Sequence, residues 1–443
     1  MAYTVSMISL GCAKNQVNAE QMLFRLQEAG YRVSGEVAGA DLVIINTCGF
    51  IDSAKEEAIQ HILQTAQLKE AGLVGKILVT GCLAQRYQNE ILQEMPEVDG
   101  VLGTGSYYDI ASAAAQVLEG QVVEEYGDID APVDETGRIL TTPDYYAYLT
   151  IAEGCDNRCS YCIIPKLRGK YRSRAMDDIL YEARLLADSG VKELIVVAQD
   201  TSRYGMDLEG RHMLPELLHG LGQIEGIHWI RIHYLYPEDM TDEIIDAIAS
   251  EPKVVKYLDI PIQHVNDTIL KKMNRRGTKA YLEDLFRKLR ERIPGVVLRT
   301  SLIAGLPYEG EEEFTELCEF LKEFRLERVG AFVFSPEEGT AAAKMDYPPK
   351  EVAERRAEYI ETLQAGIMED YSEGLIGETL EVLCEGCDAE RGLFYGRSFA
   401  DSPDIDGKVW FTAEKPVEPG SFVNVFIGSV EDGDPVGALI VEE

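Results

Sequence analysis

Short apolar runs alternate with amphipathic stretches over the first hundred residues. The runs YTVSMISLG, DLVIINTCG and KILVTGC are separated by stretches at 16–29 and 53–71 in which apolar residues recur every three or four positions. Strand, helix, strand, helix, strand in this order is typical of a parallel sheet with helical crossovers. The pattern predicts a parallel α/β domain over residues 1–117. Residues 118–143 are weakly periodic and rich in Asp, Glu and Gly, so we interpret them as a linker.

A second alternating region covers residues 144–373. Helical patterns at 177–189 and 311–324 lie among six candidate strands, YAYLTIAEG, KELIVVAQ, WIRIHYLY, KYLDIPI, GVVLRTSLIAG and VGAFVFS. Six strand and helix pairs predict a partial (β/α)6 barrel, and chemistry in such a barrel lies at the carboxyl ends of the strands. A long amphipathic helix at about 350–369 closes the region.

The pattern changes again at residues 374–443. Short β-rich runs, TLEVLCEG, LFYGRS, KVWFTA and SFVNVFIGSV, are broken there by Gly, Pro and Asp. This pattern predicts a small antiparallel β-barrel. The fold class is therefore a multidomain α/β chain that ends in a β-barrel.

Charge restricts the partners of this chain. The 443 residues include 42 Lys plus Arg and 77 Asp plus Glu, which gives a net charge of −35. Residues 374–443 alone carry 15 acidic and 4 basic residues, a net charge of −11. Such a surface repels the phosphates of nucleic acid and attracts basic partners.

Targeting signals and membrane spans are not evident in the sequence. No apolar run approaches the roughly 18 residues that a membrane span needs. The first residues, MAYTVSMISLGC, lack the basic region and the long apolar stretch of a signal peptide. These features predict a cytoplasmic protein without membrane contact. Its nine cysteines are then expected to be thiols rather than a disulfide framework.

Three of these cysteines form a CxxxCxxC motif after the first barrel strand. Cys155, Cys159 and Cys162 lie within AEGCDNRCSYCIIP. Three thiolates at this spacing can hold three corners of a 4Fe-4S cube and leave the fourth iron open. An open iron next to a reducing cluster can chelate S-adenosylmethionine (SAM) and cleave it by one-electron transfer. The alternative is a zinc site or three unrelated thiols, although structural zinc normally has four ligands and paired CxxC spacings.

Three other cysteines end the three apolar runs of the first domain. Cys12, Cys48 and Cys82 each stand next to glycine, in LGC, TCG and TGC. The carboxyl ends of parallel strands meet at one edge of a sheet, so we expect these thiols to converge as ligands of a second 4Fe-4S cluster. The alternative is that they are small buried apolar residues, which is common for cysteine.

The remaining thiols and two histidines are predicted to be structural. Cys318 lies in a helical pattern, and Cys384 and Cys387 form a CxxC motif without a second pair. His233 and His264 could act as acid or base, but hydrogen abstraction by a radical requires no strong base. We therefore expect packing or hydrogen-bonding roles for both histidines.

Polar residues of two barrel strands are candidate SAM contacts. Gln199 and Asp200 end the second strand, while Arg299 and Ser301 lie in RTSLIAG. The alternative is that they are ordinary polar groups of loops and strands. The basic stretch KKMNRR at 271–276 is interpreted as a solvated helix face, with contact to an acidic cofactor or partner as the alternative.

The motifs together resemble those of the methylthiotransferases. These radical SAM enzymes consist of an N-terminal three-cysteine domain, a radical SAM domain and a C-terminal TRAM domain. The resemblance covers essentially the whole chain and includes SLGCAKNQVNAE, NTCGFIDSAKEE, TGCLAQRY and AEGCDNRCSYCIIPKLRG. It implies that residues 1–117 carry the auxiliary cluster, that 144–373 form the radical SAM domain and that 374–443 form the TRAM domain.

Within this family the chain resembles the enzymes that methylthiolate the β-carbon of an aspartate in ribosomal protein S-twelve of the small subunit. The relevant segments are AQDTSRYG, HYLYP, YLDIPIQH and GRSFADSPDIDG, whereas tRNA-modifying relatives have a more basic TRAM domain. The resemblance implies two 4Fe-4S clusters and two SAM molecules per turnover, one giving the methyl group and one the radical. It also implies an electron-donor protein as partner and no tRNA substrate.

Two other functions remain open from the sequence. A tRNA adenosine methylthiotransferase would share both clusters but needs a positive surface for phosphate. A scaffold protein that carries clusters without turnover would need no open iron. The segment GLPYEGEE also departs from the more usual Gly-Phe-Pro-Gly-Glu form at Leu306 and Tyr308, which affects cofactor contacts rather than reaction class.

Overall fold

A computed structural model describes residues 3–133 and 136–440. Its N-terminal sheet contains six parallel strands in the order β2-β1-β3-β4-β5-β6. The predicted parallel α/β domain is confirmed. The strands are β1 (Thr4–Ser9), β2 (Arg32–Ser34), β3 (Leu42–Thr47), β4 (Lys76–Gly81), β5 (Gly100–Gly105) and β6 (Val123–Gly127).

Helices cover both faces of this sheet. Every residue of β3 is buried, because successive side chains of a central parallel strand pack against helices on opposite faces. Val43 packs with Ile62 on one face, and Ile44 packs with Met22 on the other. The helices are α1 (Ala13–Glu28), α2 (Asp52–Glu70), α3 (Cys82–Tyr87), α4 (Asn89–Glu94) and α5 (Ile110–Leu118).

The first sheet extends into the segment that we interpreted as a linker. β6 pairs in parallel with β5 at the sheet edge, so the sheet continues to Gly127. The sequence VEEYG carries little apolar signal, because an edge strand covered on one face needs only one or two buried side chains. Residues 134 and 135 of the predicted linker lie outside the described part of the chain.

The central region forms a second sheet of six parallel strands in chain order, with helices on its outer face. All six predicted strands are present, and the partial (β/α)6 barrel is confirmed. Its strands are β7 (Tyr146–Thr150), β10 (Glu193–Val197), β11 (Trp229–Ile232), β12 (Val254–Asp259), β13 (Val297–Ala304) and β14 (Arg328–Val333). A short antiparallel pair, β8 (Ala152–Glu153) and β9 (Arg172–Ser173), follows β7.

Eight helices accompany these strands. Leu194, Ile230 and Leu298 point toward the helices and form the largest apolar core with residues such as Leu217 and Phe286. The last helix ends at Glu373, four residues beyond the predicted end. The helices are α6 (Ile164–Arg168), α7 (Met176–Asp188), α8 (Leu214–Gly222), α9 (Asp242–Ser250), α10 (Asp267–Lys272), α11 (Lys279–Arg292), α12 (Glu311–Phe324) and α13 (Lys350–Glu373). None of the described helices is long and apolar enough to span a bilayer.

The last region is a closed five-stranded barrel in the order β15-β16-β17-β19-β18. Val382, Phe411 and Val425 fill its interior. The predicted small β-barrel is confirmed, but β17 and β19 pair in parallel, so the barrel is not antiparallel throughout. The strands are β15 (Thr379–Asp388), β16 (Leu393–Arg397), β17 (Val409–Thr412), β18 (Phe422–Glu431) and β19 (Asp434–Leu439).

The loop between β16 and β17 packs against the inner face of the central sheet. We call residues 398–406 the inserted loop. The Arg231 guanidinium donates to the Phe399 carbonyl at 2.8 Å, and the Tyr257 hydroxyl donates to Asp406 at 2.6 Å. Ala400 packs there with apolar residues of β10 and β12. The C-terminal barrel therefore supplies part of the core of the central domain.

Candidate functional site

The three cysteines of the N-terminal domain lie at one edge of the first sheet. β1, β3 and β4 are neighbours, and Cys12, Cys48 and Cys82 follow their carboxyl ends within three residues. The Cys82 and Cys12 thiols act electrostatically on Cys48. The three thiols therefore lie at one sheet edge as expected, and their role as ligands of one cluster stays a prediction. We call these three residues the first thiol set.

Glycines allow the three strand ends to approach one another. A Cβ on Gly11 would lie 2.7 Å from the Cβ of Cys48, and a Cβ on Gly49 would lie 2.8 Å from a backbone nitrogen at the start of α3. Gly81 has a φ of +97°, and a Cβ there would overlap the Thr47 carbonyl. The glycine beside each cysteine is thus required by the close packing of the thiol set.

Burial and positive charge act oppositely on these thiols. Burial, with the neighbouring thiols adding to it, raises the pKa of Cys48 to about 12. Burial also raises the pKa of Cys82. Burial likewise acts to raise the pKa of Cys12, but the charges of Lys14 and Arg168 outweigh it and hold that pKa below its usual value. Cys12 is therefore the thiol of this set that ionises most readily.

The CxxxCxxC cysteines lie in the loop between β8 and α6. We call Cys155, Cys159 and Cys162 the second thiol set. The Cys155 amide donates to the Gly169 carbonyl at 3.1 Å, and the Cys162 amide donates to the Cys159 carbonyl at 3.0 Å. Burial raises the pKa of Cys155 to about 12 and also raises that of Cys162. Burial therefore favours the neutral thiol at both of these positions in the protein without a bound metal group.

Asp200 fixes this loop from the end of β10. The Asn157 side chain, between the first two cysteines of the motif, donates to Asp200 Oδ2 at 2.7 Å. Ser202 donates to the other carboxylate oxygen at 2.6 Å, and the Tyr171 hydroxyl donates to the Asp200 carbonyl at 2.9 Å. The Asp200 carboxylate is therefore occupied in positioning the cysteine loop.

The basic stretch KKMNRR fixes the other side of the loop. The Ser160 amide donates to the Met273 carbonyl at 2.9 Å, and the Asn274 side chain donates to the carbonyl of the residue before Cys159 at 3.0 Å. Arg275 is buried, with its guanidinium 4.2 Å from the centroid of the Tyr236 ring. The interpretation as a solvated helix face is therefore wrong for Arg275, because the chain folds back onto the cysteine loop.

The two thiol sets lie on opposite sides of one domain interface. Cys82 of the first set packs with Ile163 and Leu167, which follow the second set. The next residue, Arg168, is buried and donates to the side chains of Asn18 and Asn15 in α1, at 2.5 and 3.0 Å. The residues that follow the second set therefore lie against the domain that carries the first set.

Of the residues predicted to contact SAM, some already have hydrogen-bond partners in the protein and one has a buried side-chain oxygen without a partner among the described residues. Arg299 donates to Asp259 at 2.7 Å, and Ser301 accepts from a backbone amide through its carbonyl. The Gln199 side-chain oxygen is buried without a hydrogen-bond partner among the described residues. The structure brings Gln199 and Asp200 to the carboxyl end of β10, whereas Arg299 and Ser301 lie inside β13. SAM contact by these four residues stays a prediction.

The two histidines have the hydrogen-bonding roles predicted for them. His233 is buried, and its Nε2 lies 2.9 Å from the Ser402 hydroxyl of the inserted loop. His264 is also buried, and its Nδ1 accepts from the Asn266 amide at 3.0 Å. Burial lowers the pKa of His233 to about 3. This ring is therefore neutral at physiological pH.

The remaining cysteines have no part in the site. Cys318 is buried in α12, and Cys384 is buried in the core of the C-terminal barrel. Cys387 is exposed on β15. The expected packing role is confirmed for Cys318.

The sequence motifs do not identify Lys14, Arg168 and Tyr234 as residues of the site. Lys14 and Arg168 act on the Cys12 thiol, and the Tyr234 ring lies against the Lys14 ammonium. Each of these three residues stands close to a motif cysteine or a strand end in the sequence. Their function depends on contacts between domains, however, and spacing along the chain does not reveal such contacts.

The first thiol set is chemically suited to hold an iron–sulfur cluster, because thiolate is the ligand that such clusters take. Within residues 3–133 and 136–440, no three His, Cys, Asp or Glu side chains lie close enough together for a single metal ion. The first set also has Lys14 and Arg168 to offset thiolate charge.

Family models match three consecutive parts of the chain. Residues 4–103 match the Uncharacterized protein family UPF0004, residues 149–321 match the Radical SAM superfamily and residues 376–440 match the TRAM domain. These matches coincide with the sheet domain, the partial barrel and the closed barrel. The arrangement is the one implied by the resemblance to methylthiotransferases.

Full-length relatives decide the family. The protein "Ribosomal protein uS12 methylthiotransferase RimO" of Caldanaerobacter subterraneus subsp. tengcongensis is 48% identical over 98% of this chain and 99% of its own length. The protein of the same name from Lachnoclostridium phytofermentans is 47% identical over 97% of this chain and 98% of its own length. The chain belongs to the RimO family. It is therefore a radical SAM methylthiotransferase.

Solved structures support the fold of this RimO family member. The radical SAM methyltransferase TsrM from Kitasatospora setae aligns with a TM-score of 0.56 and 14% identity, over 75% of this chain and 73% of TsrM. The cobalamin-dependent SAM radical enzyme OxsB aligns with a TM-score of 0.52 and 13% identity, over 82% of this chain and 56% of OxsB. At these identities the likeness concerns the fold alone.

Proposed function

We propose that this chain methylthiolates the β-carbon of an aspartate in ribosomal protein uS12, the S-twelve protein named above. It would hold two 4Fe-4S clusters, one on each thiol set, and use two SAM molecules per turnover. The observation that supports this proposal is that the two thiol sets lie on the two sides of one domain interface, where Cys82 packs with Ile163 and Leu167. The names of the full-length relatives support the substrate.

The two clusters would supply different chemistry. A cluster held by Cys155, Cys159 and Cys162 would supply the electron for reductive cleavage of SAM, and one held by Cys12, Cys48 and Cys82 would supply a site for the sulfur that is transferred. The chain itself brings the two sets together and excludes water. Ile163 and Leu167 make the interface apolar, and Arg168 closes it with hydrogen bonds to α1. Asp200 and Asn274 keep the cysteine loop in place.

Charge favours a basic protein as substrate over nucleic acid. The net charge is −35 for the chain and −11 for residues 374–443. Ribosomal proteins that bind rRNA are basic, so they complement such a surface, whereas tRNA phosphates are repelled by it. We therefore propose no tRNA substrate. We also propose a cytoplasmic location and an electron-donor protein as reductant.

The proposal is tested with anaerobically reconstituted protein. Two 4Fe-4S clusters require about eight iron atoms per chain, and one cluster about four. Incubation with SAM, a reductant and uS12 should add about 46 Da to one aspartate, because a methylthio group replaces hydrogen. Cys155→Ala should abolish both 5'-deoxyadenosine formation and the mass increase. Cys318→Ala is the matched control, since Cys318 is buried away from both sets.

The alternatives predict different results in the same experiment. Addition of the methylthio group to tRNA but not to uS12 would replace our substrate by adenosine in tRNA. Clusters without any SAM cleavage would favour a scaffold protein. Zinc instead of iron in oxygen-free preparations would contradict the proposed chemistry as a whole.

A further inference from the structure

Three segments of the central domain meet around Ser160, which lies between the last two cysteines of the second thiol set. The Ser160 amide and hydroxyl donate to the carbonyls of Met273 and Lys272, at 2.9 and 3.0 Å. Its carbonyl accepts from the Ala342 amide at 2.9 Å. The cysteine loop, the end of α10 and the segment after β14 therefore form one continuous surface.

This surface is basic on a strongly acidic chain. Residues 156–162, 271–276 and 342–346 carry six basic and two acidic residues, whereas the whole chain has a net charge of −35. Of the two acidic residues, Asp156 already pairs with Arg203 at 3.8 Å, outside these segments. Four of the cations are exposed and stand in no salt bridge with any residue that the structure describes. We call these four the basic rim: Arg158, Lys271, Lys272 and Lys344.

An exposed aromatic side chain lies beside the basic rim. The Tyr308 ring is 44% exposed, and the Lys272 ammonium lies 4.9 Å from its centroid. The φ of Tyr308 is +70°, in the left-handed region that favours glycine, and the more usual form of this segment has glycine there. A strained tyrosine that gains no burial in the fold points to contact with another molecule, since tyrosine is enriched in protein interfaces.

The charge of this surface selects an acidic partner. A basic ribosomal protein is repelled by the basic rim, so the substrate uS12 does not fit it. Nucleic acid would be attracted to the rim but repelled by the net charge of −35. The rim surrounds the loop of the second thiol set, to which the proposed function requires delivery of single electrons. Small interfaces steered by charge are typical of electron-transfer encounters.

We propose that the basic rim, with Tyr308 at its edge, is the docking surface of an acidic one-electron carrier protein. This inference rests on the proposed function, because it requires a cluster on the second thiol set. One electron leaves the reduced cofactor of the docked carrier and reduces that cluster, and no bond forms or breaks. The rim raises the rate of encounter, and Tyr308 adds contact area that orients the carrier.

The test measures how fast the reconstituted protein is reduced. The probe is reduced flavodoxin, an acidic flavoprotein, and an uncharged photoreduced deazaflavin is the small reductant for comparison. The loss of cluster absorbance in a stopped-flow instrument gives a second-order rate constant for each reductant. The constant for wild-type protein with flavodoxin should fall as salt is added, since salt screens the attraction. The constant with deazaflavin should not depend on salt.

Charge reversal at the rim should slow the reaction with flavodoxin alone. The rim variant reverses three exposed charges, through Lys271→Glu, Lys272→Glu and Lys344→Glu. The matched control makes the same change of net charge at exposed lysines elsewhere, through Lys322→Glu, Lys350→Glu and Lys415→Glu. At low salt the rim variant should lose at least about tenfold in the rate constant with flavodoxin, because steering charges act on the association rate. The control variant should react as wild type does.

A second variant tests the aromatic contact. Tyr308→Gly removes the ring and places at this φ the residue that adopts it without strain. The rate constant with flavodoxin should fall at least about fivefold, as expected when an interface anchor is removed. Its salt dependence should persist, because the rim charges are unchanged. A constant equal to that of wild type would overturn the role of Tyr308.

The other results each have a defined meaning. A rim variant that reacts with flavodoxin as wild type does, or a control variant that is equally slow, would overturn the inference. A rim variant that is also slower with deazaflavin would overturn it, because the lysines would then act on the cluster. Binding of single-stranded RNA through these lysines, with an unchanged flavodoxin reaction, would assign the rim to nucleic acid. Wild-type protein that flavodoxin reduces but that cleaves no SAM would contradict the proposed function and not the docking surface.

Discussion

His233 illustrates how the site keeps a titratable side chain neutral. Its ring is buried between the inner face of the barrel and the inserted loop, where Ser402 is its hydrogen-bond partner. Burial lowers its pKa, and the charges of Arg231 and Arg299 add to that effect against an opposing effect of Asp259. The protonated form of His233 is therefore unfavourable in the folded protein.

This environment predicts a specific loss of stability in acid. The pKa of His233 is about 3 in the folded protein and about 6.5 in the unfolded chain, so protons bind the unfolded chain first as the pH falls below about 6.5. The free energy of unfolding should therefore decrease by about 2 kcal/mol between pH 7 and pH 5 through this residue. Urea unfolding of apo-protein at several pH values should show this decrease in wild type but not in His233→Gln. His219→Gln, which changes an exposed ring, should behave like wild type.

Gly81 permits a second residue-scale prediction. An added Cβ would combine a left-handed backbone with an overlap on the Thr47 carbonyl. Gly81→Ala should lower the free energy of unfolding by about 3 kcal/mol or more, since strain and steric overlap add. Gly72→Ala is the matched control, because Gly72 also has a positive φ but nothing lies within 4 Å of its Cβ position. Its cost should be only about 1 kcal/mol. Equal losses in the two variants would mean that the strand ends do not pack as closely as described.

At the scale of elements, the apolar pattern identified the strands that are buried on both faces. β3, β7 and β10 are buried throughout, so their sequences are mostly apolar. β2 and β6 lie at the sheet edges and carry few apolar residues, which is why the pattern did not identify them. The positions of the site cysteines were predicted from the ends of the apolar runs and from the CxxxCxxC spacing.

The contacts that brace the cysteine loop could not be derived in this way. Asn157 and Asp200 are 43 residues apart, and their hydrogen bond depends on the closure of the barrel. Likewise Arg275 belongs to a stretch whose charges suggested a solvated face, yet it is buried against Tyr236. The apolar pattern of a segment indicates how deeply that segment is buried. The contacts of Asn157 and Arg275 depend instead on which segments become neighbours in the fold.

The hydrogen bond from Asn157 to Asp200, which holds the cysteine loop in place, can be tested by measuring the rate of iron release. Asp200→Ala leaves the Asn157 side chain without its acceptor, so the cysteine loop should become more mobile. Residues that orient metal ligands typically contribute about 10- to 100-fold to metal affinity. Reconstituted Asp200→Ala should therefore lose half of its iron to a chelator at least about tenfold faster than wild type. Asp207→Ala, which removes hydrogen bonds from Ser173 of β9, outside the cysteine motif, is the control. Identical iron release from both variants would contradict the role assigned to Asp200.

At the scale of the whole molecule, a buried ionic network joins the C-terminal barrel to the central one. Glu193 of β10 pairs with Arg231 at 2.8 Å and with Arg397 of β16 at 2.7 Å. All three side chains are almost completely buried. Burial opposes the charge on Glu193, but the two arginines outweigh it and hold its pKa below the usual value. The carboxylate is therefore charged and serves both arginines.

Removing this carboxylate should separate the two barrels. Glu193→Gln leaves the buried Arg231 guanidinium without a charged partner and leaves Arg397 with Glu385 alone, which costs about 3–5 kcal/mol. Limited proteolysis should then cut preferentially between the end of α13 and β15, which wild-type protein resists. Glu216→Gln, which disrupts an exposed pair with Arg211, should leave the cleavage pattern unchanged. A Glu193→Gln protein as resistant as wild type would show that the other contacts of the interface, among them those of Tyr257 with Asp406 and of Arg328 with Asp401, are sufficient to hold it.

The inserted loop also constrains the order in which the protein matures during synthesis. Tyr257 and Arg328 find their partners Asp406 and Asp401 only in the last tenth of the chain. Because a ribosome releases the chain from its N-terminus onward, these side chains remain hydrated until residues beyond 400 emerge from the exit tunnel. The barrel is therefore completed only at the end of translation. Metal loading of a fully formed CxxxCxxC loop is accordingly expected as one of the last steps in the biogenesis of this protein.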